Sequence, residues 1–390
     1  MKSNLVNYLF VSILLCSSCS KNSSHKGELS SSNDLYLTNS FNEEEFERIE
    51  YTNPCKIVNE NGEEYFASLA DPDIILGDDG YYYLYPTNTV VEKGNRGKLF
   101  DRGPIFRSEN LIEWTWCGSV FDDYPTEGNW GTKGAQIWAP GIVKIGSMYN
   151  YYYSLTTLFD SNPGIGVATS PTPYGPWTHY GKLFNSVEIG VRNSIDPYVF
   201  SEDGNNYIAW GSGDGIYICE LNETGTALKN GIDYAKENKK CIMPYNIYDN
   251  RNYEACFIQK KNGNYYMYLS TGSCCDGIKS TYKVVVGKAD NIYGPYVGSN
   301  GKAIDTFGRG DTVIQPHLKR AMGTGHMAVV QDDKGLDWLV YHGYNPNNPD
   351  NTQKNTRTLY IDRLYWTEEG YPICKDTYPT YGEIPGPYIY

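Results

Sequence analysis

Asp196 to Ser212 reads DPYVFSEDGNNYIAWGS. It opens on a carboxylate, runs through an apolar strand, turns at Asp203-Gly204 and returns through a strand rich in aromatic and β-forming residues. Asp-Gly between two such runs is a hairpin signal. The same seventeen-residue plan recurs in four other places: Asp71 to Thr87 (DPDIILGDDGYYYLYPT), Trp138 to Ser154 (WAPGIVKIGSMYNYYYS), Glu254 to Ser270 (EACFIQKKNGNYYMYLS) and His326 to His342 (HMAVVQDDKGLDWLVYH). Each has a polar or aromatic first residue, an apolar strand, a Gly-containing or polar turn and a Tyr-rich or aromatic strand. Intervals between the starts are 67, 58, 58 and 72 residues, with 64 residues after His326. Five similar lengths imply five similar units, each long enough for four short strands and their loops. No long helical periodicity interrupts them. Four-stranded units repeated radially are the plan of a β-propeller, and the expected fold is an all-β, five-bladed β-propeller.

Equivalent positions in a radial repeat fall at equivalent places around the axis. The first residues Asp71, Trp138, Asp196, Glu254 and His326 are therefore expected to form a ring at one mouth of the central channel. Acids facing one cavity repel one another and split their pKa values, and burying them is costly unless they are paired or used. Asp-Pro can simply start a strand, but two Asp-Pro copies and a Glu at matching places point to chemistry. Paired carboxylates are the machinery of glycoside hydrolysis: one deprotonates water and another protonates the leaving oxygen.

The bulk composition fits such a substrate. The formal net charge of −13 and the absence of a basic stripe exclude nucleic acid as a natural partner. The 37 tyrosines suit strands and also sugar sites, where a ring face meets C–H groups while the hydroxyl hydrogen-bonds.

Along the chain, residues 1–18 read as an export signal, with Lys2 before the short apolar run Leu5 to Leu15. Ser17-Ser18-Cys19 resembles a bacterial lipoprotein cleavage site, with Cys19 as the lipidated residue. The expected location is the bacterial outer membrane or cell surface, held by that lipid. Residues 19–51 are rich in Ser, Asn and Glu and read as a flexible tether, and residues 52–390 as the propeller. A monomer is expected. Cys219 and Cys256 sit in strand-like runs and read as buried thiols, whereas the neighbours Cys274 and Cys275 form either a vicinal disulfide or two thiols near the site.

The segments ADPDI (70–74), IWAP (137–140), NSIDP (193–197), YEA (253–255), GSCCDGIKSTYKVVVGKADNIYGPY (272–296), GTGHMAVV (323–330) and YHGY (341–344) resemble glycoside hydrolase family 43, and most of all its arabinan endo-1,5-α-L-arabinosidases. The resemblance implies an inverting hydrolase of α-L-arabinofuranosyl linkages. It makes Asp71 the general base, Asp196 the pKa modulator and Glu254 the general acid. Trp138 becomes a wall of the sugar subsite and Asn193 a substrate contact. It also implies an axial calcium ion facing His326, while His342 reads as a packing histidine. Ala70, where arabinanases often carry His, and Gly141, where the family carries Asp or Glu, depart from the pattern, as does the long charged segment Asn88 to Gly103. An exo-acting α-L-arabinofuranosidase, a β-xylosidase and a non-catalytic glycan-binding propeller are the alternatives.

Overall fold

The computed structural model describes residues 47–93, 97–122, 130–245, 252–305, 309–348 and 352–389. The signal segment, Cys19 and the tether up to residue 46 lie outside them.

Five sheets follow one another along the chain. The first holds β3 (Asp73–Leu76), β4 (Tyr82–Tyr85), β7 (Pro104–Ser108) and β8 (Glu113–Ser119), with β2 (Lys56–Val58) added parallel to β8 at the outer edge. The segment Asn88 to Gly103, read as a charged loop, contains a hairpin of β5 (Thr89–Glu92) and β6 (Lys98–Asp101) inserted between β4 and β7. The second blade is β9 (Gln136–Ile145), β10 (Met148–Thr156), β11 (Gly164–Ser170) and β12 (Thr178–Asn185). The third is β13 (Tyr198–Glu202), β14 (Asn205–Trp210), β15 (Gly215–Leu221) and β16 (Lys240–Pro244). The fourth is β17 (Glu254–Lys261), β18 (Asn264–Thr271), β19 (Lys283–Ala289) and β20 (Asp311–Ile314). The fifth is β21 (Met322–Gln331), β22 (Asp337–Tyr344), β23 (Thr358–Trp366) and β24 (Pro372–Cys374). The architecture is a five-bladed β-propeller.

Tyrosine fills the space between blades. Successive residues of a strand point to opposite faces, and in a propeller both faces of each blade are covered. Tyr151 and Tyr153 of β10 accordingly pack in one core cluster with Tyr83 and Tyr85, while Tyr152 packs in another with Ile165, Ile208 and Trp210. In β18, Tyr266 and Tyr268 face the fifth blade, and Tyr265, Met267 and Leu269 face the third. Buried phenols need partners, and many find carbonyls across a blade boundary, as Tyr152 does at Gly225 (2.7 Å).

The folded part begins earlier than composition suggests. Glu47–Tyr51, read as the end of the tether, is strand β1, paired antiparallel with β25 (Ile384–Ile389). Tyr51 is the reason: its ring is buried against Trp338, and its hydroxyl donates to the carbonyl of Ile361 at 2.9 Å. Asn53 then bonds both the N–H and the carbonyl of Ile361. These contacts tie the start of the chain to the fifth blade.

Candidate active site

The innermost strand of every blade is entered through a residue in the left-handed region: Asp71 (φ 53°), Ala139 (φ 38°), Asp196 (φ 56°), Ala255 (φ 54°) and His326 (φ 49°). Such a conformation is uncommon outside glycine and persists only where surroundings fix it. Here the fixing is a bond from blade to blade. The N–H of Ala139 donates to Thr87 Oγ1 (2.9 Å), that of Asp196 to Ser154 Oγ (3.0 Å), that of His326 to Ser270 Oγ (2.9 Å) and that of Asp71 to His342 Nδ1 (3.1 Å). Each acceptor is the last residue of the repeat in the preceding blade, with His342 closing the circle onto the first.

This register corrects the sequence alignment. The true equivalents are Asp71, Ala139, Asp196, Ala255 and His326. Trp138 and Glu254 stand one residue earlier, and they pair with Ser154 and Ser270 just as Gly325 pairs with His342. A bulge follows in each case, and the seventeen-residue windows slipped by one where the copy is one residue shorter, Ala139 to Ser154 and Ala255 to Ser270. All five expected ring residues nevertheless line one cavity of about 640 Å³, together with Asn193, Tyr282, Arg357, Ser212 and the Cys274–Cys275 pair.

The junction between the third and fourth blades departs from the pattern. There the N–H of Ala255 faces the carboxyl of Asp196. Ser212, the acceptor in waiting, donates instead to Glu254 Oε2 at 2.6 Å. Tyr282 also faces Glu254, and burial and the acids Glu254 and Asp196 hold its phenol well above the usual range. Gly325 is required here, because a Cβ would lie 2.2 Å from the ring of Tyr282. Asn193 lies in the turn before Asp196, itself left-handed (φ 57°), and its amide donates to the carbonyl of Ser212 at 2.7 Å.

The two aspartates are in opposite electrical settings. Burial would raise Asp71, but the Arg357 guanidinium at 2.6 Å, aided by His326, more than offsets it and holds the carboxyl well below the ordinary range. Thr87 donates to its other oxygen at 2.7 Å. Asp196 is pushed well above the ordinary range by burial, then by the charges of Glu254 and Asp71. The cavity thus holds one carboxyl whose surroundings favour the charged form and one whose surroundings favour the protonated form.

His342 is fully buried, and burial pushes its imidazole down to about 4. Because Nδ1 accepts the Asp71 N–H, it cannot also donate to the Asp71 carboxylate 3.3 Å away. The ring is neutral with its proton on Nε2, a positioning group stacked on Tyr282. His326 is partly buried, with Nδ1 3.3 Å from Asp71, and burial lowers its pKa.

A sequence profile of glycosyl hydrolases family 43 matches residues 66–372. The chain belongs to glycosyl hydrolase family 43. It is a glycosidase, and the cavity at the mouth of the propeller is its candidate active site. An extracellular exo-α-(1→5)-L-arabinofuranosidase of Cellvibrio japonicus is 29% identical over 73% of this chain and 84% of its own length. An extracellular endo-α-(1→5)-L-arabinanase of Bacillus subtilis is 29% identical over 78% of this chain and 87% of its own. Among solved structures, a Cellvibrio cellulosa α-L-arabinanase complexed with arabinohexaose aligns with a TM-score of 0.66 at 26% identity, covering 79% of this chain and 96% of that one.

In this family 43 glycosidase, Arg357, Thr87, Ser212 and Tyr282 are functional neighbours that sequence reasoning missed. Arg357 sits at the end of the segment joining β22 to β23, with no motif around it. Thr87 and Ser212 had a signal, since both end a repeat. Among the described residues no group of three or more His, Cys, Asp or Glu could hold a metal, so His326 would be the protein group facing an axial calcium ion whose other positions are filled by water oxygens, and no step below uses one.

Proposed function

We propose that this chain is an inverting glycosidase that cleaves α-L-arabinofuranosyl linkages, foremost as an endo-1,5-α-L-arabinanase. The observation that carries the reading is the opposed setting of the acids in one cavity: Asp71 faces the Arg357 guanidinium at 2.6 Å and is held low, and Asp196 lies beside Glu254 and is pushed high. Asp71 takes a proton from the attacking water. Glu254, oriented by Ser212 and Tyr282, gives one to the leaving oxygen. Asp196, pushed above the ordinary range by burial and by the charges of Glu254 and Asp71, is the modulating acid beside it. Inversion requires room for water between base and sugar, roughly 6.5–9.5 Å between the carboxyls. Trp138 supplies a sugar wall and Asn193 a contact. The relatives named above act on α-1,5-linked arabinose, which favours arabinan or its oligosaccharides as substrate.

Exo action is the second reading, favoured by the similarity to the Cellvibrio japonicus exo-enzyme. Products from debranched linear arabinan, alongside aryl arabinofuranoside and aryl xyloside, test both. Oligosaccharides of mixed length support endo action and arabinose alone supports exo action. A preference for the xyloside overturns the arabinoside reading. NMR of the first product should show the anomer opposite to the substrate's; retention overturns the inverting mechanism. We further propose that the chain is exported, as its extracellular relatives are, and that it carries a lipid anchor on Cys19 and works as a monomer.

A further inference from the structure

Cys274 and Cys275 are joined by a disulfide between adjacent residues, and both line the cavity that holds Asp71, Asp196 and Glu254. A disulfide stabilises a fold mainly by closing a loop in the unfolded chain, in proportion to the logarithm of loop length. With a sequence separation of 1, this one closes almost no loop. Core filling does not explain it either, since Cys275 is exposed and Cys274 only half-buried.

Local scaffolding does not need the bond. The segment from Ser273 to Tyr282 is already held by its own hydrogen bonds. Thr281 and Tyr282 donate their N–H groups to the carbonyl of Ser273 (both 3.1 Å), and Asp276 donates its own to Ser280 Oγ (2.9 Å). From the fifth blade, Tyr344 donates to the carbonyl of Cys274 at 3.0 Å. What the disulfide adds is a surface. Two thiols in a cavity of acids would be mobile and weakly acidic. The S–S unit is rigid, uncharged at every pH and polarizable, and it lacks a donor hydrogen. It meets C–H groups of a sugar well.

Its place in the cavity says which sugar. The segment that carries it ends at Tyr282, whose phenol faces Glu254, the proton donor to the leaving oxygen, in the same cavity. We propose that the Cys274–Cys275 disulfide is a substrate-contacting wall on the leaving-group side, packing against the sugar residue that departs with the protonated oxygen. This deepens the arabinanase reading and rests on it.

The test compares two substrates. A linear arabino-oligosaccharide has a sugar leaving group; an aryl arabinofuranoside has none. In Cys274→Ser/Cys275→Ser, the ratio of kcat/KM for oligosaccharide to that for aryl substrate should fall up to about tenfold, chiefly through a higher KM for the oligosaccharide. Wild-type enzyme reduced with a phosphine should shift the same way and recover on reoxidation, which keeps the test valid if the variant folds poorly. An unchanged ratio in the reduced wild type overturns the proposal, as does an equal loss on both substrates accompanied by a lower melting temperature. Wild-type enzyme that cleaves no arabino-oligosaccharide overturns the substrate reading itself, a failure visible before any variant is made.

Discussion

Asp71 and Asp196 carry the same side chain, enter the site through the same left-handed turn and are buried to the same degree, 8% exposed each. Their neighbours alone set them apart. A cation faces Asp71, and two acids face Asp196. Asp71→Asn should lower turnover on polymer by about 10²–10⁴, the usual worth of general acid–base catalysis, and Glu254→Gln by a similar factor. An aryl substrate with a good leaving group should restore much of the loss in Glu254→Gln, where proton donation is missing, and none in Asp71→Asn. Near-normal polymer activity in Asp71→Asn would remove it from the mechanism. Arg357 can be tested through pH. The acid limb of kcat/KM reports protonation of the base. Arg357→Met removes the cation that offsets burial, so the Asp71 pKa rises and the acid limb moves to higher pH. An acid limb that stays in place would mean that the ion pair does not tune the base.

At the scale of the strand, the chain repeats a device rather than a residue. A left-handed entry residue gives its N–H to the last side chain of the preceding blade, and that side chain is Thr87, Ser154, Ser270 or His342. Ser154→Ala leaves the N–H of Asp196 buried without its acceptor. The penalty for such a group is roughly 1–3 kcal/mol, read as a lower unfolding midpoint in denaturant at unchanged slope. A variant as stable as wild type would show that the bond only accompanies the turn. The hairpins, their turns and their number were legible in sequence because strand alternation and Asp-Gly or Asn-Gly turns are local signals. The shorter second and fourth copies were not, since one residue fewer leaves the hydrophobic pattern nearly intact, and so Trp138 and Glu254 were aligned with residues they precede. Pro140, matching Pro72 and Pro197, was the clue to the true register. Arg357 was illegible for another reason: it reaches Asp71 across 286 residues of chain, and no spacing rule describes that.

For the whole molecule, a propeller places its chemistry at one mouth, and the proposed anchor at Cys19 lies ahead of the closing contacts of β1 with β25. A formal charge of −13 gives the chain no attraction to an anionic lipid surface, so it has no electrostatic means of staying on a membrane. The membrane retention proposed above would then come from hydrocarbon. Single acyl chains hold proteins only marginally and two or more hold them firmly, and lipidation at Cys19 of the bacterial lipoprotein kind adds several. Cys19→Ser should therefore move the enzyme from the membrane fraction to the soluble fraction. Its specific activity on soluble oligosaccharides should stay the same, because Cys19 lies 28 residues before the first described strand, at Glu47. Fractionation of cells expressing the two forms, with activity assayed in each fraction, checks both halves. A Cys19→Ser protein that remains in the membrane fraction would place the anchor elsewhere, and one that is released but inactive would mean that the N-terminal stretch takes part in the fold.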